Sequence, residues 1–216
     1  MIILKESQFY RISSILVLTL LFSCIPIQQA KMADASSSNL VDVGDYTVIL
    51  PSDGKWSLAI DKEKGILQIE KLKKWWTGKI LGSTLIRVFQ NKMLSDEKWS
   101  KSDEEVADNY LNTEKHIMEE AAQKGEYNFE EVKRMSLRIG DKQLYAMSYK
   151  ITKGSWLSGP PVAVDAILYL YFPHDFKDTH TFYGFLISES YERGALVTKD
   201  LDQIYPVINS FQLKNK

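Results

Sequence analysis

Apolar and polar residues alternate along this chain at two different periods, and the change of period divides it into elements. Residues 46–50 form a short β-type run closed by Pro51-Ser52-Asp53-Gly54, residues whose backbone preferences make turns. Trp56, Leu58 and Ile60 then alternate with Ser57, Ala59 and Asp61, and Lys64-Gly65 marks the next turn. Residues 66–72 and 83–92 follow as strands, the second setting Leu85, Arg87 and Phe89 against Ile86 and Val88. The period then lengthens. Val106, Tyr110, Ile117 and Ala121 share a helical face with Ala107, Leu111, Met118 and Ala122. Ser102 with Glu105 three residues on forms a capping box at its start, and Gly125 is a natural stop.

Four further strand-like runs occupy 129–138, 142–152, 162–172 and 180–190. Gly140-Asp141, Gly159-Pro160-Pro161 and the stretch 173–178 punctuate them as hairpin connections. Residues 166–172 are apolar or aromatic on both faces, which suits a strand covered on both sides. Leu201, Ile204, Tyr205 and Ile208 return to helical spacing and end in Phe211, with Pro206 expected to kink or divide that helix. Strands in succession with helices grouped between them indicate an α+β domain on an antiparallel sheet.

The N-terminus has a different character. Lys5 and Arg11 precede residues 12–22, which are apolar except for Ser13, Ser14 and Thr19. A basic start before a short apolar run describes a secretory signal, whereas a spanning helix wants about 20 apolar residues. The run ends in Leu21-Phe22-Ser23-Cys24, which resembles the bacterial lipobox, where a Leu and a small residue precede the Cys that is lipidated. Two alternatives stay open: an uncleaved anchor, or cleavage nearer Ala30 or Ala33 with Cys24 an ordinary small hydrophobe. Cys24 is the only cysteine in 216 residues, so in an oxidising compartment it has no internal disulfide partner. The expected organisation is a signal peptide over 1–24, a polar tether over 25–40 and one domain over 41–216. Of 27 basic and 28 acidic residues, 25 and 27 lie beyond Cys24, a net charge of −2. A near-neutral body argues against general nucleic-acid binding, which draws its affinity from basic patches.

The segment around "YTVILPSDGKWSL", the helix-bearing insert in mid-chain, the paired strands and the ending "IYPVINSFQL" together resemble the PsbP-like families. These include the extrinsic photosystem II subunit and the DcrB-type bacterial lipoproteins. The residues that carry the likeness are Pro51, Lys55-Trp56 and Ser210-Phe211, and Lys55 stands where many members have Gly. The resemblance spans about residues 43–213. It implies an α/β/α sandwich, an antiparallel sheet with helices packed on both faces, and a role in binding another protein rather than catalysis.

Three constellations are candidates for chemistry or contact. His174 and His180, with Asp175 and Asp178 between them, could approach a transition metal, although polar residues there also serve plain turn chemistry. Residues 71–79 set Lys71, Lys73, Lys74 and Lys79 around Trp75 and Trp76. Such a loop suits an anionic membrane surface, each nearby lysine adding about 1 kcal/mol, or a partner. The competing reading folds the tryptophans onto the sheet and leaves the lysines to keep an edge soluble. Trp156-Leu157 in a Gly/Pro loop is a second apolar tip. No Ser or Cys has the context of a nucleophile elbow, and no glycine loop is built to cradle phosphate.

The expectation is therefore a membrane-tethered, non-enzymatic envelope lipoprotein, anchored by lipid on Cys24, without cofactor, binding a protein partner. A carrier of an apolar ligand or lipid, walled by Tyr169, Tyr171, Tyr183 and Phe185, is the alternative; a hydrolase with a dispersed site is a third reading.

Overall fold

The computed structural model describes residues 39–52, 56–74, 80–92, 102–125, 127–153, 162–174, 179–192 and 200–214. The expected signal peptide with Cys24, most of the tether, and Trp75, Trp76 and Trp156 lie outside these residues.

In chain order the elements are β1 (Leu40–Asp42), β2 (Tyr46–Ile49), β3 (Ser57–Asp61), β4 (Ile66–Lys74), β5 (Ile80–Lys92), α1 (Asp103–Gln123), β6 (Asn128–Ile139), β7 (Lys142–Lys153), β8 (Val162–Tyr171), β9 (Thr181–Glu192), a 3-10 turn (Leu201–Gln203), α2 (Ile204–Ser210) and β10 (Gln212–Leu213). Seven strands make one antiparallel sheet in the order β3-β4-β5-β9-β8-β7-β6, and β1-β2-β10 make a second. The fully covered strands are those in the middle of the order, where neighbours and both layers exclude water. In β9 eight consecutive residues, 182–189, are buried.

Each face of the large sheet has its own core. On one, Leu67, Ile69, Ile86, Val88, Phe185, Ile187, Tyr169 and Leu144 meet Val41, Val43, Tyr46 and Val48 of the small sheet and Ile204, Val207, Ile208 and Phe211 from the C-terminal segment. On the other, Phe89, Met147, Tyr149, Leu168, Phe182 and Leu186 meet Val106, Ala107, Tyr110, Leu111 and Met118 of α1.

The helix caps and stops follow the sequence. Glu105 N donates to Ser102 Oγ at 3.3 Å and Ser102 N donates to Glu105 Oε2 at 3.1 Å, closing the capping box, and Gly125 beyond the helix takes φ +76°. Pro206 divides the last helical stretch: a 3-10 turn precedes it and α2 restarts at Ile204, placing Pro206 in the first turn, where a backbone N–H has no helical partner to lose.

The expected α/β/α sandwich is corrected. Strands take 59% of the described residues, and among these residues there are two α-helices, one of only seven residues. One face is roofed by a second antiparallel sheet in addition to that short helix, so the architecture is mainly β. The reason lies in β1 and β10. Three and two residues long, they sit where the expected tether meets the domain and just past the expected last helix, with no strand expected at either place, yet both pair with β2. Strand pairing supplied by distant segments turns short apolar alternations into a sheet, and no local period announces it.

Candidate functional site

Cross-strand register assembles a polar band on the strand-roofed face. Moving across six strands, Lys71, Thr84, Glu189, Asp165, Lys150 and Glu130 stand directly opposite one another in turn. The next rung toward the sheet's end is Lys73, Gly82, Tyr191, Ala163, Thr152 and Asn128. The rung on the inner side runs Ile69, Ile86, Ile187 and Ile167 before turning polar at Ser148 and Lys133. One step along the strands therefore exchanges an isoleucine ladder for charge, because side chains two residues apart share a face.

The half of the band near β4 is closed. Glu189 is 1% exposed, and its Oε1 accepts from Lys73 Nζ at 3.0 Å, from Thr84 Oγ1 at 3.4 Å and from the backbone N–H of Asp200. Lys73 also lies 3.3 Å from Asp200, and Lys71 lies 3.8 Å from it while stacking over Trp56 at 5.6 Å. A buried carboxylate is tolerable only with such charge-assisted partners.

The other half is open. Asn128, Glu130, Lys150, Thr152 and Tyr191 line a concavity of about 410 Å³ that residue 129 of β6 also borders, with the Phe129 ring itself packed toward Tyr149 on the other face. Tyr191 OH donates to Asp165 Oδ2 at 2.8 Å, which fixes the ring at the rim. On the opposite side of β6 a second open concavity, about 560 Å³, is bounded by Lys115, Glu119, Gln123 and Glu131, with Phe129 again in its wall. Lys115 meets Glu131 at 2.9 Å there, and Glu131 also accepts from Arg134 Nε at 2.8 Å. Those two cations hold the Glu131 carboxyl below its usual range against the opposing effect of burial. Half-buried Phe129 is thus flanked by two shallow hollows carrying ammonium, carboxylate, amide and hydroxyl groups. Such a surface can recognise shape and charge.

The candidates from the sequence are distributed differently. Lys73 and Lys74 are neighbours in sequence at an irregular step in the pairing of β4 with β5: Lys73 is engaged with Glu189 and Asp200, and Lys74 is exposed. Trp75, Trp76, Trp156 and Cys24 lie outside the described residues. His174 is exposed and His180 half-buried with φ +49°, a left-handed backbone uncommon outside glycine; residues 175–178 between them lie outside the described residues. Among the described residues no group of three or more His, Cys, Asp or Glu is placed to hold a metal ion. His116 is on the exposed side of α1, 3.2 Å from Glu120. Tyr171, Tyr183 and Phe185, named as walls for an apolar ligand, pack on Phe211 with ring centroids 6.0, 4.9 and 5.2 Å away.

The band itself was missed in the sequence. Its signal was present in part: Lys71 and Lys73 continue the inward face of Leu67 and Ile69, and Asp165 and Glu189 interrupt otherwise apolar strands.

No family model and no curated protein matches the chain. Among solved structures, cyanobacterial PsbP from Synechocystis is similar at 11% identity and a TM-score of 0.36, over 76% of this chain and 96% of that one. A Pseudomonas aeruginosa protein of unknown function is similar at 12% identity and a TM-score of 0.35, over 71% of this chain and 90% of that one. The likeness is of fold level only, and no functional inference rests on it.

Proposed function

We propose that this chain is an exported, membrane-tethered lipoprotein of the bacterial cell envelope that performs no catalysis and binds a protein partner at the open end of its large sheet. Phe129 carries the reading: this half-buried residue borders both open hollows while its ring packs toward Tyr149 at 6.0 Å, and Glu130, Lys150, Lys115 and Glu131 stand around the two openings. Protein interfaces concentrate binding energy in aromatic anchors of this kind, while a rim carrying both signs of charge selects the partner and its register. The basic start, the apolar run over 12–22 and Leu21-Phe22-Ser23-Cys24 support the tether.

Two measurements test it. A photo-cross-linking residue at position 129 should give a defined adduct in intact cells, weakened by Lys150→Glu, while the same probe at exposed Arg138 gives none. Cys24→Ser should move the protein from the membrane to the soluble fraction with loss of acyl label. Adducts independent of position, or a wild-type N-terminal peptide without an acyl chain, would overturn the corresponding half.

A further inference from the structure

α1 carries a carboxyl group in the middle of its apolar stripe. Glu114 is 1% exposed, between Tyr110 and Leu111 on one side and Met118 on the other, all of them buried. Its Oε1 has no hydrogen-bond partner among the described residues. Residues facing the sheet at this spacing are ordinarily apolar, since a buried charge without a counter-charge is costly.

The groups around Glu114 explain which charge state the site accepts. From α1 itself, the Tyr110 hydroxyl acts on the Glu114 carboxyl and favours its ionised form. From β5, the buried Arg87 guanidinium and Asn91 act on Tyr110. From β7 and from the residue leading into β6 come two phenols, Tyr149 and Tyr127. β8 and β9 contribute Leu168 and Phe182 to the same core, the latter 5.0 Å from Tyr110, and β9 also carries the buried Ser188. Lys115, next in sequence, points outward to Glu131. Burial is the dominant influence on Glu114, only partly offset by Tyr110, and pushes its carboxyl up to about 7.

We propose that Glu114 makes the docking of α1 a pH-sensitive device, the helix being held on the sheet when the carboxyl is protonated and loosened when it ionises. The sign follows from linkage. A carboxyl whose value rises from 4.5 to about 7 on burial favours the docked helix fully below 4.5, and that contribution is lost as the pH rises through 7. The same helix contributes Lys115, Glu119 and Gln123 to the second hollow beside Phe129, so loosening it would also reshape the proposed partner surface. That consequence rests on the proposed function; the helix movement does not, and it is measured without any partner.

Hydrogen exchange of the full-length protein tests it, comparing α1 amides with those of β9 after correction for intrinsic exchange. Between about pH 5 and about pH 8 the opening of wild-type α1 should rise on the order of 50-fold relative to β9, and Glu114→Gln should abolish the rise. A wild-type rise below about threefold, or a rise that persists in Glu114→Gln, overturns the proposal. Direct NMR titration of the Glu114 carboxyl in the wild type needs no variant to fold: a midpoint near 7 supports the device, and one near 4.5 removes it.

Discussion

The two faces of the large sheet are covered by different means. Over one lie segments from both ends of the described chain: β1 and β2 from the start, α2 and β10 from the end, joined by Gln212 and Leu213 pairing with Thr47 and Tyr46. The buried Tyr46 hydroxyl on this face lies 3.1 Å from the Gly65 carbonyl and 3.3 Å from that of Val88. Over the other face lies one helix, closed by local interactions, with a carboxyl group in its contact stripe. The first cover forms only when distant parts of the chain have met. The second is an autonomous unit set down on the sheet. A cover made of long-range pairs opens with the whole fold, whereas a single helix can leave at lower cost, so the strand-roofed face is the fixed half and the helix face the adjustable one.

The largest effect should come from removing the keystone of the fixed face. Phe211 touches Tyr46, Tyr183 and Phe185 with ring centroids 5.1, 4.9 and 5.2 Å away, and it is 2% exposed. Phe211→Ala should cost about 3–5 kcal/mol in urea unfolding, with β1, β2, α2 and β9 losing exchange protection together. If α2 and β10 open alone, with the sheet undisturbed, the roof is no more integral than the helix and the contrast between the faces collapses.

A smaller effect separates two adjacent lysines. Lys73→Met leaves Glu189, 1% exposed, without its ammonium partner and should cost about 2–3 kcal/mol, below the largest penalties for broken buried pairs because Lys73 is itself in reach of water. Lys74→Met on the exposed side should stay within about 0.5 kcal/mol of wild type. Equal effects from the two would mean that the closed half of the polar band is an ordinary surface ion pair.

Those lysines also mark the limit of what the sequence makes legible. The alternation of Leu67 and Ile69 with Gln68 and Glu70 identifies a strand, and Ser102 with Glu105 identifies a helix start, because both signals lie within a few residues. The band does not lie within a few residues. Lys73 and Glu189 are brought together by the register of β4 on β5 and β5 on β9, and a slip of one residue would put each on the opposite face. Phe129 belongs to a strand by its local pattern, yet its place between two hollows depends on α1 ending beside β6. The roofing of one face by strands stayed hidden for the same reason: β1 and β10 are too short to show a period and exist only through β2.

The smallest effect probes the adjustable cover at its most local feature. Ser102 is exposed, and the hydrogen bond its Oγ accepts from Glu105 N stays within the first turn of α1. Replacing it with alanine leaves an N-terminal N–H without an acceptor and should cost about 1 kcal/mol. In a fold of one uniform stability that loss would appear at every amide that exchanges by global opening. If α1 lifts off by itself, it should appear mainly within residues 103–123, as an opening roughly five times more frequent, while the β9 amides keep their wild-type protection. Raising the pH through 7 should add to the effect, since ionising Glu114 weakens the same docked state that the cap supports. A Ser102→Ala variant in which α1 and β9 lose protection in equal measure would show that the helix and the sheet open together, and the two faces would then differ in construction but not in behaviour.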